Sequence, residues 1–420
     1  PVAGRYFAGL DAASDTAIVA DTGGTSYDVS VVRKGRIPWT REAWIGTPYL
    51  GHMTGFPSVD VKSIGAGGGS VAWVDDGGLL HVGPHSAGSS PGPACYGRGG
   101  TRPTVTDGAL ILGFIDPEYF LGGNMPLDIN AASHALEQFV GSRLALDLHQ
   151  AANAILTVAS ENMIGAIEDV TINQGIDPRD AVLVGGGGAA GLNSVKMARR
   201  LGCAKVIIPD VGAALSAAGG HISELSADFA TLRVSECGRF DFDGVNNTLS
   251  QLRNRCEQFV AATGAKVLAQ TIEYFVEARY AEQIWEVEVA LQTEQFTSAE
   301  MVTTLAEDFH RMHRELFAIE DRHSEIELIL WRAKVSCRLR EADIGPVRVS
   351  QDGVNNESQL RSVYFEDIGM VDTPVLRVPA MSRDKLYQGP LIVESPFTTV
   401  VIDPNASAQL SQSGSLIISP

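Results

Sequence analysis

The segment Ala20-Asp21-Thr22-Gly23-Gly24-Thr25-Ser26-Tyr27-Asp28-Val29 joins one strand to another strand, not a strand to a helix. Thr16-Ala17-Ile18-Val19-Ala20 before it and Val29-Ser30-Val31-Val32 after it both read as buried strands. The turn between them holds glycines and hydroxyls and is flanked by Asp21 and Asp28. Glycines let backbone N–H groups approach an anion, and hydroxyls add donors. The aspartates have the chemistry to hold a hydrated Mg²⁺ or to orient an attacking group. A nucleotide phosphate suits that combination. An ordinary tight hairpin with solvated aspartates is the alternative.

Length and composition bound the rest. A chain of 420 residues with 45% hydrophobic and 20% charged residues reads as a soluble globular protein of two or three domains. A formal net charge of −18 argues against a nucleic-acid partner, which needs a basic face. No apolar run is long enough to span a bilayer, and no basic segment followed by an apolar one opens the chain. Cys95, Cys203, Cys237, Cys256 and Cys337 are scattered with no Cys-x-x-Cys pair, which predicts a reduced, cytoplasmic setting rather than a disulfide framework. Pro1, in place of a methionine, with a core strand soon after it, predicts that an N-terminal portion of a longer polypeptide is missing.

Along the chain, residues 1–44 read as a β-hairpin region. Residues 45–127 are rich in glycine and proline, a loop-rich stretch of the kind that carries function. Within it lie a strand at Val59–Ile64, the tract Gly65-Ala66-Gly67-Gly68-Gly69-Ser70, and a hairpin around Asp76-Gly77-Gly78. Residues 128–175 turn helical, with Ile155, Val158, Ile164, Ile167 and Val170 at helical spacing and a stop near Gly175 and Pro178. The strand Ala181–Val184, the tract Gly185–Gly191, a helix from about Leu192 to Leu201 and the strand Lys205–Ile208 follow. Beyond residue 225, alternating strands and the amphipathic helix Ala299–Phe317 read as an α+β module. Residues 341–372 read as a polar connector, and short strands to the end as a small β-rich domain.

Several motifs carry more than one meaning. Gly186-x-Gly188-x-x-Gly191 follows a strand, opens a helix and has Asp210 at the end of the next strand, as a dinucleotide fingerprint does. The same glycines also suit a turn approaching an adenosine and its phosphates. No Gly-x-x-x-x-Gly-Lys-[Ser/Thr] exists, which excludes a P-loop enzyme. Gly65–Ser70 reads as a second anion cradle or as the lining of a cleft, and Asp60 and Asp107 sit beside glycine-rich loops where caps and turn residues are also common. His81, His85, His310 and His313 read as hydrogen-bonded or packed, and Cys95 as a thiol without a partnered base.

Asp21-Thr-Gly-Gly-Thr-Ser-Tyr-Asp28, Ser63-Ile-Gly-Ala-Gly-Gly-Gly-Ser70, Ser86-Ala-Gly-Ser-Ser-Pro-Gly-Pro-Ala-Cys-Tyr-Gly97 and Thr104-Val-Thr-Asp107 occur in this order, with Gly389-Pro-Leu-Ile-Val-Glu394 near the end. That set resembles the hydantoinase A/5-oxoprolinase family, which includes the ATP-binding subunits of acetone and acetophenone carboxylases. One departure stands out: where many hydantoinase-type members read Gly-Gly-Ala-Gly-Pro-Leu-His, this chain reads Gly187-Gly-Ala-Ala-Gly-Leu-Asn193, and Asn193 cannot serve as an acid or base.

The resemblance implies an α/β fold of the actin, sugar kinase and chaperone ATPase type. It places an ATPase lobe at 1–224, an α+β module at 225–345, and a connector with a small β-rich domain at 346–420. It implies ATP with Mg²⁺ (or Mn²⁺), phosphates on Gly23, Gly24, Thr25 and Ser26, and an adenosine side at Gly186, Gly187 and Gly188. Asp21 and Asp28 would serve the metal or a water, and Asp60 and Asp107 would act with Gly67, Gly68, Gly69 and Ser70 in a substrate cleft. The implied reaction is phosphorylation of a carbonyl. It opens a cyclic amide of the hydantoin or 5-oxoproline type, or activates a ketone for carboxylation. The implied partner is a hydantoinase B-type subunit in a hetero-oligomer. A non-catalytic, actin-like nucleotide-binding scaffold is the other class of reading.

Overall fold

The structure, a computed structural model, describes residues 1–40, 44–46, 50–54, 58–264, 266–339, 359–383 and 385–420. The chain divides into two units, Pro1–His221 with Ile344–Pro420, and Ile222–Asp343.

In the first unit a helix, α1 (Val2–Ala12), precedes the antiparallel pair β1 (Ala17–Thr22) and β2 (Tyr27–Val32). This helix corrects the expectation of a β-hairpin region from residue 1. Ala3, Phe7 and Ala8 bury one helical stripe, and Gly4, without a Cβ, lies directly on Val19 of β1. β3 (Val61–Ile64) pairs with β2, and β4 (Ser70–Val74) and β5 (Leu80–Ser86) form the expected hairpin. Helix α2 (Val105–Ile111) starts inside the stretch read as loop. The long helix α3 (Leu148–Asn173) opens on a capping box between Asp147 and Gln150. Then come β6 (Val182–Gly186), α4 (Ser194–Leu201), β7 (Val206–Ile208) and α5 (Leu215–Ile222).

The end of the chain returns to this unit through β8 (Gln359–Phe365), β9 (Gly369–Arg377), β10 (Leu386–Gln388), β11 (Leu391–Glu394), β12 (Thr399–Ile402), β13 (Ser407–Leu410) and β14 (Leu416–Ser419). The main sheet runs β10-β13-β14-β7-β6-β1-β2-β3, with β1, β6 and β7 parallel, and a second sheet runs β8-β9-β11-β12. The mixed α/β architecture expected from the resemblance is therefore present. The sequence reading sets 346–420 apart, whereas here Ile418 of β14 pairs with Val206 of β7 and shares one buried cluster with Ile18 and Leu183. β8 and the start of β9 lie where a polar connector was expected, because exposed residues alternate with the buried Val363 and Phe365. The remainder of that connector, residues 341–358, lies outside the described residues.

Alternation along β1 and β2 sets the two faces of the main sheet. Ile18, Ala20, Tyr27, Val29 and Val31 pack with Met163, Ile164 and Ile167 of α3. Val19 faces α1.

The second unit has a four-stranded antiparallel sheet in the order Leu225–Glu236, Ile326–Arg338, Ala269–Tyr280, Val287–Ala290. Helices Phe242–Ala262 and Ala299–Phe317 pack with it into one buried cluster, in which Trp331 of the sheet and Phe309 of the second helix are fully buried. His310 and His313 belong to this packing: the Tyr280 hydroxyl lies 2.7 Å from His310 Nδ1, and His313 Nδ1 lies 2.7 Å from the Ile319 carbonyl.

Asp403, just after β12, yields a pH prediction. Burial pushes its carboxyl up to about 6, against the opposing pull of Arg199 3.9 Å away. A folded-state value above the unfolded one favours the protonated native form. Its stabilisation is complete below about pH 4 and is lost as pH rises through 6, a swing of about 3 kcal/mol. Asp403→Asn is expected to remove that component from the melting temperature measured between pH 4 and 7. Identical pH profiles in the two proteins would contradict the assignment.

Candidate functional site

The hairpin register puts four residues in one row across the sheet. Gly186 of β6 pairs with Asp21, Asp21 with Asp28, and Asp28 with Ser63 of β3. Directly opposed residues in neighbouring strands share a face, so both carboxylates project the same way. Ser216 of α5 donates to Asp21 Oδ2 at 2.8 Å, while Ser26 Oγ (3.2 Å) and Ser63 Oγ donate to the two oxygens of Asp28. Each aspartate is thereby held, and both remain partly exposed.

Above the row, the turn closes through Gly23 N–H to the Ser26 carbonyl at 3.0 Å. The carbonyls of Gly23 and Gly24 accept from Gly68 N–H (3.0 Å) and Gly69 N–H (2.6 Å). The N–H groups of Gly24 and Thr25 have no partner among the described residues and sit at an exposed tip. The tract 65–70 therefore braces the hairpin. A Cβ at Gly67 would meet Gly23 O at 2.7 Å, so only glycine permits this backbone contact. Ser70 is fully buried, and its Oγ accepts from Gly67 N–H at 2.8 Å. Of Gly67, Gly68, Gly69 and Ser70, expected to line a cleft, Gly68 alone borders the cavity described below.

The tract after β6 divides in the same manner. Gly186 packs against Leu215. Gly187 has φ +84° and turns against the Thr22 carbonyl, with its N–H on the Gly212 carbonyl at 2.8 Å. Gly188 borders the cavity. Asn193 is buried against α3, its Nδ2 donating to Ser160 Oγ at 3.1 Å.

Two predicted aspartates lie elsewhere. Asp60 precedes β3, whose Val61 pairs with Ser30, so it sits about three residues, roughly 10 Å, along the strands from the carboxylate row. Gln174 Nε2 donates to it at 2.8 Å. Asp107 is fully buried at the start of α2. It accepts from Thr104 N–H and Oγ1 (both 2.8 Å), Cys95 N–H (2.7 Å) and Ala94 N–H (3.2 Å). Its position is that of a capping-box residue that ties the 93–97 turn to α2.

Beside that carboxylate, burial and the Asp107 charge push the Cys95 thiol far up. Burial also pushes Cys203 and Cys256 up to about 11 and Cys237 up to about 12. Thiolates react and thiols do not, so 5,5′-dithiobis-nitrobenzoate at pH 7.5 is expected to label the native protein slowly and all five cysteines once it is denatured. Rapid native labelling of Cys95 would contradict this.

A cavity of about 210 Å³ adjoins the hairpin tip. Gly23, Gly24, Gly68 and Gly188 line it together with Ile115, Tyr119, Phe120, Leu192 and the Glu394–Thr399 turn. Neither Asp21 nor Asp28 borders it. That turn was not among the expected site residues. The Gly389–Glu394 motif was its one sequence signal, and it lies far along the chain from the glycine tracts it meets. Among the described residues no group of three or more His, Cys, Asp and Glu is arranged for a metal ion. Two carboxylates remain enough for Mg²⁺, which keeps most of its water and binds largely through phosphate oxygens.

These features define an α/β protein whose glycine-rich turns gather at the carboxyl ends of β1 and β6, above paired aspartates. Hydantoinase/oxoprolinase matches residues 1–229, and the hydantoinase/oxoprolinase C-terminal domain matches residues 242–415. The chain belongs to the hydantoinase/oxoprolinase family. It is 32% identical to caprolactamase subunit alpha of Pseudomonas jessenii over 97% of this chain and 58% of that protein. It is 29% identical to 5-oxoprolinase of Dictyostelium discoideum over 95% of this chain and 32% of that protein. The crystal structure of the ATP-dependent caprolactamase from Pseudomonas jessenii superposes with a TM-score of 0.88 at 31% identity, covering 100% of this chain and 61% of that one. Nucleotide-free acetone carboxylase, at 19% identity and a TM-score of 0.74, shares the fold across 99% of this chain and 60% of its own.

Proposed function

We propose that this chain forms the phosphate-holding part of an ATP-dependent enzyme that phosphorylates a substrate carbonyl and opens a cyclic amide by hydrolysis. The observation that carries the proposal is the exposed tip whose Gly24 and Thr25 N–H groups have no partner among the described residues, standing over the Asp21–Asp28 row. Backbone donors suit phosphate oxygens, and Thr25 and Ser26 add hydroxyls. ATP, when bound, would supply a phosphoryl group to the carbonyl oxygen, which activates the carbon toward water. The ring C–N bond breaks with nitrogen leaving as the amine, and phosphate is released by hydrolysis of the resulting acyl phosphate. Asp21 and Asp28 hold Mg²⁺ (or Mn²⁺) or orient a water, and the nucleoside lies on the Gly188 side, in the cavity. Asp60 and Asp107, by their placement, support rather than react. The partner is a hydantoinase B-type subunit in a hetero-oligomeric, cytoplasmic complex. No helix among the described residues is long and apolar enough to cross a membrane.

Opening of a cyclic amide is placed ahead of ketone carboxylation because the caprolactamase subunit is 32% identical to this chain and the acetophenone carboxylase gamma subunit of Aromatoleum aromaticum 26%. Phosphate release by the full-length protein with its partner subunit tests the choice. A lactam, a hydantoin or 5-oxoproline is expected to stimulate release without bicarbonate. Release that needs a ketone plus bicarbonate would replace hydrolysis by carboxylation, and release indifferent to all of them would leave the scaffold reading.

A further inference from the structure

The cavity beside the hairpin tip has a charged wall that the reading above does not use. Glu394, at the end of β11, is only 2% exposed and borders the cavity. Arg361 of β8 reaches it: Nη2 donates to Glu394 Oε1 at 2.7 Å and to Asp116 Oδ2 at 3.0 Å. One guanidinium thus serves two carboxylates, and Asp116 also borders the cavity. Glu394 Oε2 has no partner among the described residues. The Glu394 side chain is only 3% exposed, and a carboxylate so largely withdrawn from water gains from each further donor that reaches it. Burial pushes this carboxyl up and Arg361 opposes the push.

The remaining walls say what brings the donor. Tyr119, Phe120 and Phe397 bring three aromatic rings to the cavity, and the Arg377 guanidinium lies over the Tyr119 ring, 3.9 Å from its centre. At about 210 Å³ the space falls below the roughly 300–1,000 Å³ of sites for drug-sized ligands. An anionic ring would face Asp116 and Glu394. The cavity therefore suits an uncharged flat ring that bears an N–H donor.

We infer that Glu394 recognises the base of the bound nucleotide, its Oε2 accepting a hydrogen bond from the exocyclic amine, with Arg361 as the positioning residue. The inference rests on the ATP reading, since phosphates held at Gly24 and Thr25 leave the nucleoside beside Gly188 and the 394–399 turn. It adds the C-terminal arm to the nucleotide site and predicts selectivity for an amine-bearing purine.

Calorimetric titration of the full-length protein with a non-hydrolysable ATP analogue, and with the matching purine riboside triphosphate that lacks the amine, tests this. Wild type is expected to prefer the amine-bearing nucleotide by about tenfold or more, the scale of a hydrogen bond to a charged group. Glu394→Gln, checked for folding by its melting curve, is expected to lose most of that preference. Phe397→Ala, at a residue 60% exposed, is expected to weaken both nucleotides about fivefold or more through lost stacking. Unchanged preference in Glu394→Gln would overturn the inference while leaving the ATP reading intact. So would unchanged nucleotide affinity with a raised KM for a lactam, which would make the cavity the substrate's. Failure of wild type to bind either nucleotide would overturn the ATP reading and this inference together.

Discussion

Asp21→Ala is expected to lower ATP-dependent turnover by roughly two to four orders of magnitude, the range for removing a positioned acid–base group. The melting temperature is expected to stay nearly constant, because Asp21 is partly exposed and its described partner is a single serine hydroxyl, on Ser216. Surface changes of this kind cost within about 0.5 kcal/mol. Asp28→Ala is expected to behave alike with one difference. Ser26 and Ser63 both bond to Asp28, so its loss loosens the hairpin tip and raises KM for ATP as well as lowering kcat. Initial-rate kinetics beside a thermal melt check both statements. Turnover within tenfold of wild type for both variants would remove the aspartate row from the chemistry.

Asp107→Ala is expected to fail in the opposite manner, by unfolding. Its carboxylate satisfies three backbone N–H groups and one hydroxyl in a fully buried place. Each orphaned donor costs about 1–3 kcal/mol. The sum approaches the whole stability of an ordinary domain, about 5–15 kcal/mol. A fall in melting temperature of about 10 °C or more, or loss of soluble protein, is the expected result. Asp107→Asn, which keeps an acceptor oxygen, is expected to fall less. A folded Asp107→Ala protein with normal melting and no turnover would restore Asp107 to the reaction.

The contrast between Asp21 and Asp107 shows where the sequence was legible. Strands β1 and β2 are buried apolar runs joined by a short turn, and antiparallel pairing across such a turn dictates that Asp21 and Asp28 stand opposite each other. The long helix α3 was legible from its apolar spacing and its stop near Gly175. Helix α1 was not, because its buried stripe is only Ala3, Gly4, Phe7 and Ala8 rather than a long periodic run. A glycine tract such as 65–70 has the same composition whether its N–H groups face an anion or a neighbouring carbonyl. Only the position of the Gly23 and Gly24 carbonyls decides, and that depends on the fold. Glu394 and Arg361 were illegible for a related reason, since the β8–β11 contacts that bring them to the cavity join segments that read as a connector and a separate domain.

The proposed function rests on the tip between Asp21 and Asp28 gripping the phosphates of a nucleotide. The most direct measurement is a structure of the full-length protein with a non-hydrolysable ATP analogue and Mg²⁺. Phosphate oxygens are expected within about 2.7–3.2 Å of the Gly24 and Thr25 nitrogens. Phosphates bound elsewhere, with that tip facing only solvent, would contradict it.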